Sequence, residues 1–409
     1  MSSSGPTAAS APAVENDDGL VPAAPLRRAW VVAIVVLAAS VAAAYNQYIV
    51  PALLPTLMDS FRLDLAGGGW LVSIFSITSV ILALPSGLIL HHLGGRATGI
   101  LALGLIVAGC ALGSLGFGLA MFIASRVAEG AGLGLISVVA PAVIAEWFPP
   151  ERRGAPMGLY AIWVPVGAIF SFNVAPGLAA AGGWEIAWVF GGVMALAGLV
   201  AYVVLVRSPA RSLGAEVVTA PGLRTLFANR DIWLLSGSFA CTAFAMGVVP
   251  NFYATYLVSE RGWALEPSAG VIGLRMAAIL VSCPLAGLVA DRIGSWKLVY
   301  TIPTLCTVAV WPFLFSVDGL AIPALLIVTG LLGGAFPTAA YGAVQEIMND
   351  RRLFGVGMAI LTFGLAVANV VGPIVFGRLV EMVGWTEAGL LLVPVTLAGV
   401  ALGWAIKVR

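Results

Sequence analysis

GLILHHLGGR (Gly87–Arg96) and GLVADRIGSW (Gly287–Trp296) stand 200 residues apart with the same glycine spacing, and this pair decides how the chain is divided. AEWFPPERR (Ala145–Arg153) meets QEIMNDRRL (Gln345–Leu353) at the same offset of 200. Gly183-Trp184 meets Gly384-Trp385 at 201, and Val50-Pro51 meets Val249-Pro250 at 199. Landmarks that keep one register across two halves mark a duplicated architecture. Between them lie apolar runs of about 20 residues, the length that crosses a roughly 30 Å hydrocarbon core as a helix. Only helices and closed barrels satisfy the backbone in lipid. The runs are continuous rather than alternating, so they are helices. The predicted fold is an all-α membrane protein with twelve transmembrane helices in two pseudo-symmetric six-helix halves.

The first six spans are read as Ala29–Val50, Gly69–Leu90, Ala97–Phe117, Leu119–Ala145, Ala155–Pro176 and Trp184–Val206. The second six are Ile232–Tyr256, Ser268–Ala290, Leu298–Phe315, Leu320–Val344, Gly355–Gly377 and Thr386–Ile406. Residues 1–28, rich in Ser, Ala and Pro, read as a disordered cytoplasmic tail. The halves are then 29–206 and 232–409, joined by a polar cytoplasmic linker at 207–231. Arg27 and Arg28 precede an apolar stretch too long for a signal peptide, and further spans follow it.

The chain of 409 residues is 60% hydrophobic and 10% charged, with mean hydropathy +1.04. A soluble domain carries about 25% charged residues, so this one cannot cover itself with a water-compatible surface. No basic run points to nucleic acid. Cys110, Cys241, Cys283 and Cys306 lie inside apolar runs without metal-ligand spacing, and read as small hydrophobes. Of the 20 Lys and Arg residues, 15 fall on the side of the termini, three (Arg62, Arg261, Arg378) on the other, and two (Arg126, Arg275) within spans. That bias places both termini in the cytoplasm. The compact loops suit a bacterial cytoplasmic (inner) membrane.

At Gly287–Lys297 the residues resemble the loop motif of the major facilitator superfamily, found between spans 2 and 3 or 8 and 9. Gly287, Asp291, Arg292 and Gly294 stand in its places; the first copy keeps Gly87, Gly94 and Arg96 but puts His91 and His92 where the Asp-Arg pair belongs. RVAEGAGLG (Arg126–Gly134) resembles the family's fourth-span pattern. The resemblance covers Ala29 to Arg409. It implies secondary transport by alternating access, with spans 1, 4, 7 and 10 lining a central cavity and the motif acid latching the cytoplasmic gate. AEWFPPERRGAPMG after span 4 and an arginine in span 8 are similar to the small-anion porters: monocarboxylate, oxalate–formate, cyanate and nitrate–nitrite carriers. The chain departs from the nitrate porters in lacking Gly-Asn in spans 5 and 11, and from the oxalate carriers in lacking a span 11 lysine.

Arg275 is the sharpest residue. It lies roughly 10 Å into span 8, where a charge must face a cavity or a partner, and its duplicate is Phe75, so the repeated scaffold does not require it. A guanidinium grips a carboxylate with two parallel hydrogen bonds. The competing reading is a structural ion pair or a side chain snorkelling outward. Arg126 and Glu129, three apart on one helix face, are either a proton-coupling site or a permanent brace. Tyr45, Asn46, Asn251 and Tyr253 are placed at the substrate, with Tyr48 and Tyr256 assigned to an interfacial aromatic belt.

The expected activity is therefore non-enzymatic movement of a small, carboxylate-type anion, with a proton as co-substrate, by a monomer in the bilayer, without cofactor or metal. Two alternatives stand beside it. A carrier of the same fold can export hydrophobic or cationic compounds, and competition by simple carboxylates separates the two. A non-transporting receptor or scaffold needs no alternating cavity.

Overall fold

The computed structural model describes residues 26–149, 152–206, 229–348 and 354–406, without the side chains of Ala83, Leu84, Asp291, Gln345 and residues 354–356. Residues 1–25 of the expected tail and 207–228 of the linker lie outside the described residues. What is described is helical, with no strand among the described residues.

The N-terminal half holds α1 (Leu26–Phe61), α2 (Leu65–Ser114), α3 (Leu119–Trp147), α4 (Gly154–Tyr160), α5 (Trp163–Gly182) and α6 (Trp184–Leu205). The second half holds α7 (Arg230–Ser259), α8 (Leu265–Ile293), α9 (Trp296–Val310), α10 (Ala321–Gly333), α11 (Ala335–Ile347), α12 (Phe354–Val383), α13 (Trp385–Leu390) and α14 (Leu392–Trp404). Among the described residues, eleven helical stretches are long and apolar enough to cross a membrane. The ninth expected span is the exception, because α9 has 15 residues before a 3-10 turn at Trp311–Phe313. Exposed Val193, Val200, Val204, Leu288 and Ile302 present apolar side chains outward, as lipid-facing surfaces require.

Three boundaries differ from expectation for local reasons. α1 runs on through Pro51 and Pro55 to Phe61, at 36 residues longer than a bilayer needs. Spans 2 and 3 share one helical path that breaks at Gly94, whose φ of 76° only glycine adopts readily. Span 10 is split at Gly334 into α10 and α11.

The apolar interior falls into three cores. One lies at the end carrying Leu26 and Val206 and draws only on the first half, from Ala29 to Val206. A second, with Ile232, Met348 and Ile406, draws only on the second half. The third, at the opposite (distal) end, mixes Tyr45, Leu53 and Phe172 with Val249, Tyr253, Ile272 and Phe376. The halves therefore share a core at the distal end and keep separate cores at the terminal end. Across the distal seam α1 meets α7, α2 meets α12, and α5 meets α8.

Candidate functional site

In the first half, Arg126 and Glu129 are fully buried on α3 and bonded to each other through Nη1 and Oε2. Glu129 Oε1 also accepts from Ser125 Oγ at 3.2 Å and from Trp188 Nε1 at 3.1 Å. Arg126 Nη2 donates to the Asn46 carbonyl at 3.0 Å, and the guanidinium lies 4.4 Å from the Phe75 ring centroid. Both charges are thus neutralised within one half, as burial in low dielectric demands.

The second half repeats this scaffold with one charge missing. A Cβ on Gly130 would sit 2.4 Å from the Phe75 carbonyl oxygen, and one on Gly330 would sit 2.5 Å from that of Arg275. The same holds for Gly134 against Ser79, at 2.4 Å, and Gly334 against Ile279, at 3.0 Å. The offset of 200 is therefore one of structure as well as of sequence. Under it Arg126 becomes Leu326, Glu129 becomes Thr329, and Phe75 becomes Arg275.

Arg275 is 2% exposed, and the contacts of its side chain are weak. Nη2 reaches the Met246 carbonyl at a long 3.4 Å and Met246 Sδ at 3.7 Å, while the buried Nε has no hydrogen-bond partner. Among the described residues no carboxylate pairs with it. Gly333 packs beside the guanidinium: a Cβ there would be in ordinary contact with Nη2, 3.7 Å away. Tyr48 of α1, half-buried against Phe172 with ring centroids 5.9 Å apart, lies within electrostatic reach from the opposite half.

The other expected substrate residues separate into two groups. Tyr45 is buried with its hydroxyl on the Ala187 carbonyl at 3.2 Å, and Tyr253 with its own on Leu314 O at 2.9 Å. Asn46 is also buried; its Nδ2 donates to Ala42 O at 2.9 Å and its Oδ1 accepts from Cys110 Sγ at 3.2 Å. These three are engaged within their own halves. Asn251 is instead half-buried in a crevice between α7 and α12, together with Asn369. The sequence reading passed over Asn369, although an uncharged amide inside an apolar span is a signal that marks it. Tyr256 donates to Phe315 O at 2.6 Å and accepts from Arg261 Nε at 2.7 Å. That bond raises the Arg261 guanidinium above its usual range and belongs to the distal loops, where Arg261 also pairs with Asp318 at 2.7 Å.

At the terminal end, Gly87 faces open space and His91 and His92 are exposed, their rings edge-on at 5.4 Å. Arg96 Nη2 donates to Val203 O at 2.9 Å near the end of α6. Lys297 mirrors it, donating to Trp404 O at 2.8 Å and Ile406 O at 2.9 Å past the end of α14. A cation on the last carbonyls of a helix suits its dipole. Gly287 keeps only a loose contact with Thr338, Arg292 is exposed, and Gly294 closes α8 in the left-handed conformation. The Asp291 side chain lies outside the described part. Among the described residues no group of three or more His, Cys, Asp or Glu side chains can hold a metal ion.

The sequence profile of the Major Facilitator Superfamily matches residues 35–348. The chain belongs to the Major Facilitator Superfamily. Its similarity to individual superfamily proteins is low but extends over most of the chain. The hexuronate transporter of Bacillus subtilis (strain 168) is 22% identical over 360 residues, 83% of this chain and 85% of that protein. An MFS-type efflux pump of Mycolicibacterium smegmatis is 28% identical over 300 residues, covering 68% and 69%. Among solved structures, a bacterial homologue of the human lysosomal transporter Spinster, inward-facing and unoccupied, aligns with TM-score 0.81 at 14% identity over 93% of this chain and 97% of that one. A D-xylose–proton symporter aligns with TM-score 0.78 at 16% identity over 92% and 97%. These structures share the fold. Superfamily membership and the apolar helices make the chain a multi-pass membrane transporter of small molecules, with no enzymatic activity.

Proposed function

We propose that this chain is an alternating-access carrier for a small carboxylate-type anion, moved together with a proton, with Arg275 as the charge that holds the anion. The observation that carries the reading is the missing carboxylate. The first half neutralises its buried arginine with Glu129, whereas the second half buries Arg275 where the duplicated scaffold supplies Thr329 and Met246 but no acid. A guanidinium held in low dielectric without a counter-charge is costly, and a transported anion removes that cost. The 22% identical hexuronate carrier, whose named substrate is a sugar acid, is compatible with this reading.

Orientation rests on the basic residues, which put the termini in the cytoplasm. The distal end, where the halves share a core, then faces outward, and the terminal end, with its separate cores, opens inward. Arg275 lies buried beneath the distal closure. For the proton, Glu129 is the acid placed deepest in a span. A bacterial inner membrane and a monomer complete the proposal.

Uptake of lactate, formate, cyanate, nitrate and D-glucuronate into liposomes carrying the purified chain, with and without an imposed proton gradient, tests it. Saturable uptake of one of these, stimulated by the gradient and lost in Arg275→Gln, is the expected result. If none is taken up by the folded protein, the anion reading gives way to export of hydrophobic or cationic compounds, and Arg275 becomes a structural residue.

A further inference from the structure

From the balance of buried charge we infer that the Arg275 site accepts a single negative charge, so that it selects monoanions and takes a dicarboxylate only in its singly protonated form. The inference rests on the anion reading above and narrows it to one valence. Two cations lie deep within the described spans, Arg126 and Arg275. Arg126 is closed off by Glu129, which fills both its oxygens with donors from its own half. While Glu129 is ionised, what remains is one positive charge at Arg275. Beside it stand Met246, Gly333 and Ile279, which bring no charge, and Tyr48 lies within electrostatic reach across the seam.

One carboxylate makes this site neutral. A second carboxylate on the same molecule has no cation to meet, and its ionised form has to enter a low-dielectric seam uncompensated. Protonating that second group removes the obstacle. Chain length alone does not relieve it, because Asn251 and Asn369, one helix over, offer amides and no charge. The same argument rejects neutral analogues, which leave Arg275 unpaired.

The experiment measures binding to the full-length purified protein by ligand-induced thermal stabilisation, using pairs that differ by one carboxylate. D-glucuronate is compared with D-glucarate, lactate with hydroxymalonate (tartronate), and D-glucose serves as the neutral control. At neutral pH the monoanion of whichever pair binds is expected to bind at least about tenfold more tightly than its dianionic partner. The dianion's apparent affinity should rise as pH falls through its second carboxyl pKa, while that of the monoanion stays level over the same range. Met246→Glu, which places a carboxylate beside Arg275 Nη2, should abolish binding of both in a protein whose unliganded melting remains cooperative. Equal affinity for the two valences, with both lost in Arg275→Gln, overturns the charge-matching inference and leaves the anion reading intact. Binding untouched by Arg275→Gln, or no binding by any acid, overturns both.

Discussion

Two arginines of the same chain sit in duplicated surroundings and meet different fates, and the difference lies in one side chain each. Arg126 has Glu129 three residues on, and Arg275 has nothing of opposite charge among the described residues. Removing one member of a buried pair leaves the other charge uncompensated, at a cost of about 3–5 kcal/mol. Arg126→Ala is therefore expected to lower the melting temperature of the purified protein markedly, and Arg275→Gln to leave it level or raise it. The reverse order would mean that Arg275 has a partner in the folded chain. Glu129→Gln separates the two readings of the pair. As a proton site its loss should abolish gradient-driven uptake but spare exchange of substrate across the membrane without a gradient; as a brace it should lower the melting temperature and both activities together. Arg275 was legible in the sequence because a charge inside an apolar run is conspicuous at any orientation. Tyr48 was not, and its assignment to an interfacial belt used depth alone. Successive residues on a helix point about 100° apart. In a span apolar all round, no periodicity says that Tyr45 and Asn46 turn into their own half while Gln47 and Tyr48 remain half-buried.

Helix contacts in this protein depend on glycines of two kinds. Gly130 and Gly330 bring helices together inside a half, against the carbonyls of Phe75 and Arg275. Gly69 and Gly377 do so between halves: a Cβ at Gly69 would meet Pro373 O at 2.3 Å, and one at Gly377 would meet Leu65 O at 2.7 Å. A side chain in either place overpacks by about 1–3 kcal/mol, but the consequence differs. Gly130→Val should destabilise the half itself and lower the thermal midpoint. Gly69→Val should wedge α2 from α12 at the distal end and leave each half folded, so the midpoint moves little while a cysteine placed at Leu54, in the shared distal core, gains reactivity toward a water-soluble thiol reagent. Equal loss of stability in both variants would show that the α2–α12 seam is part of the permanent core. The all-helical class and the duplication were readable from run lengths and the repeat, and eleven of the twelve expected spans reach crossing length among the described residues. The kinks were not, because a glycine inside a span, such as Gly334, reads alike whether the helix bends there or packs there.

At the scale of the molecule, the present arrangement is held by a closed distal end, and one polar contact there crosses the seam. Glu381 of α12 accepts from the Ala66 N–H at 2.8 Å, at the first turn of α2, with Asp64 capping the same turn through Gly67 N at 2.7 Å. A carboxylate at a helix N-terminus is favoured by the exposed N–H groups and the helix dipole, by up to about 1 kcal/mol at an exposed site. Because the contact joins α12 to α2, it exists only while the distal end is closed. Glu381→Gln should accordingly raise the fraction of outward-open molecules about fivefold, as read from electron–electron resonance distances between spin labels across the distal end. The terminal end offers a second lever on the same equilibrium. His91 stands where the superfamily's loop motif carries an acid, and it is exposed in the state in which that end is open. His91→Asp supplies the missing charge to a latch that forms when the terminal end closes, and it too should favour the outward-open state. One substitution weakens the closed distal end and the other strengthens closure of the terminal end. They act at opposite ends and share no partner, so their effects on the free-energy difference between the two states should add. A double variant that opens no further than Glu381→Gln alone would show that His91→Asp forms no latch and that the second half, through Asp291, controls the terminal gate by itself.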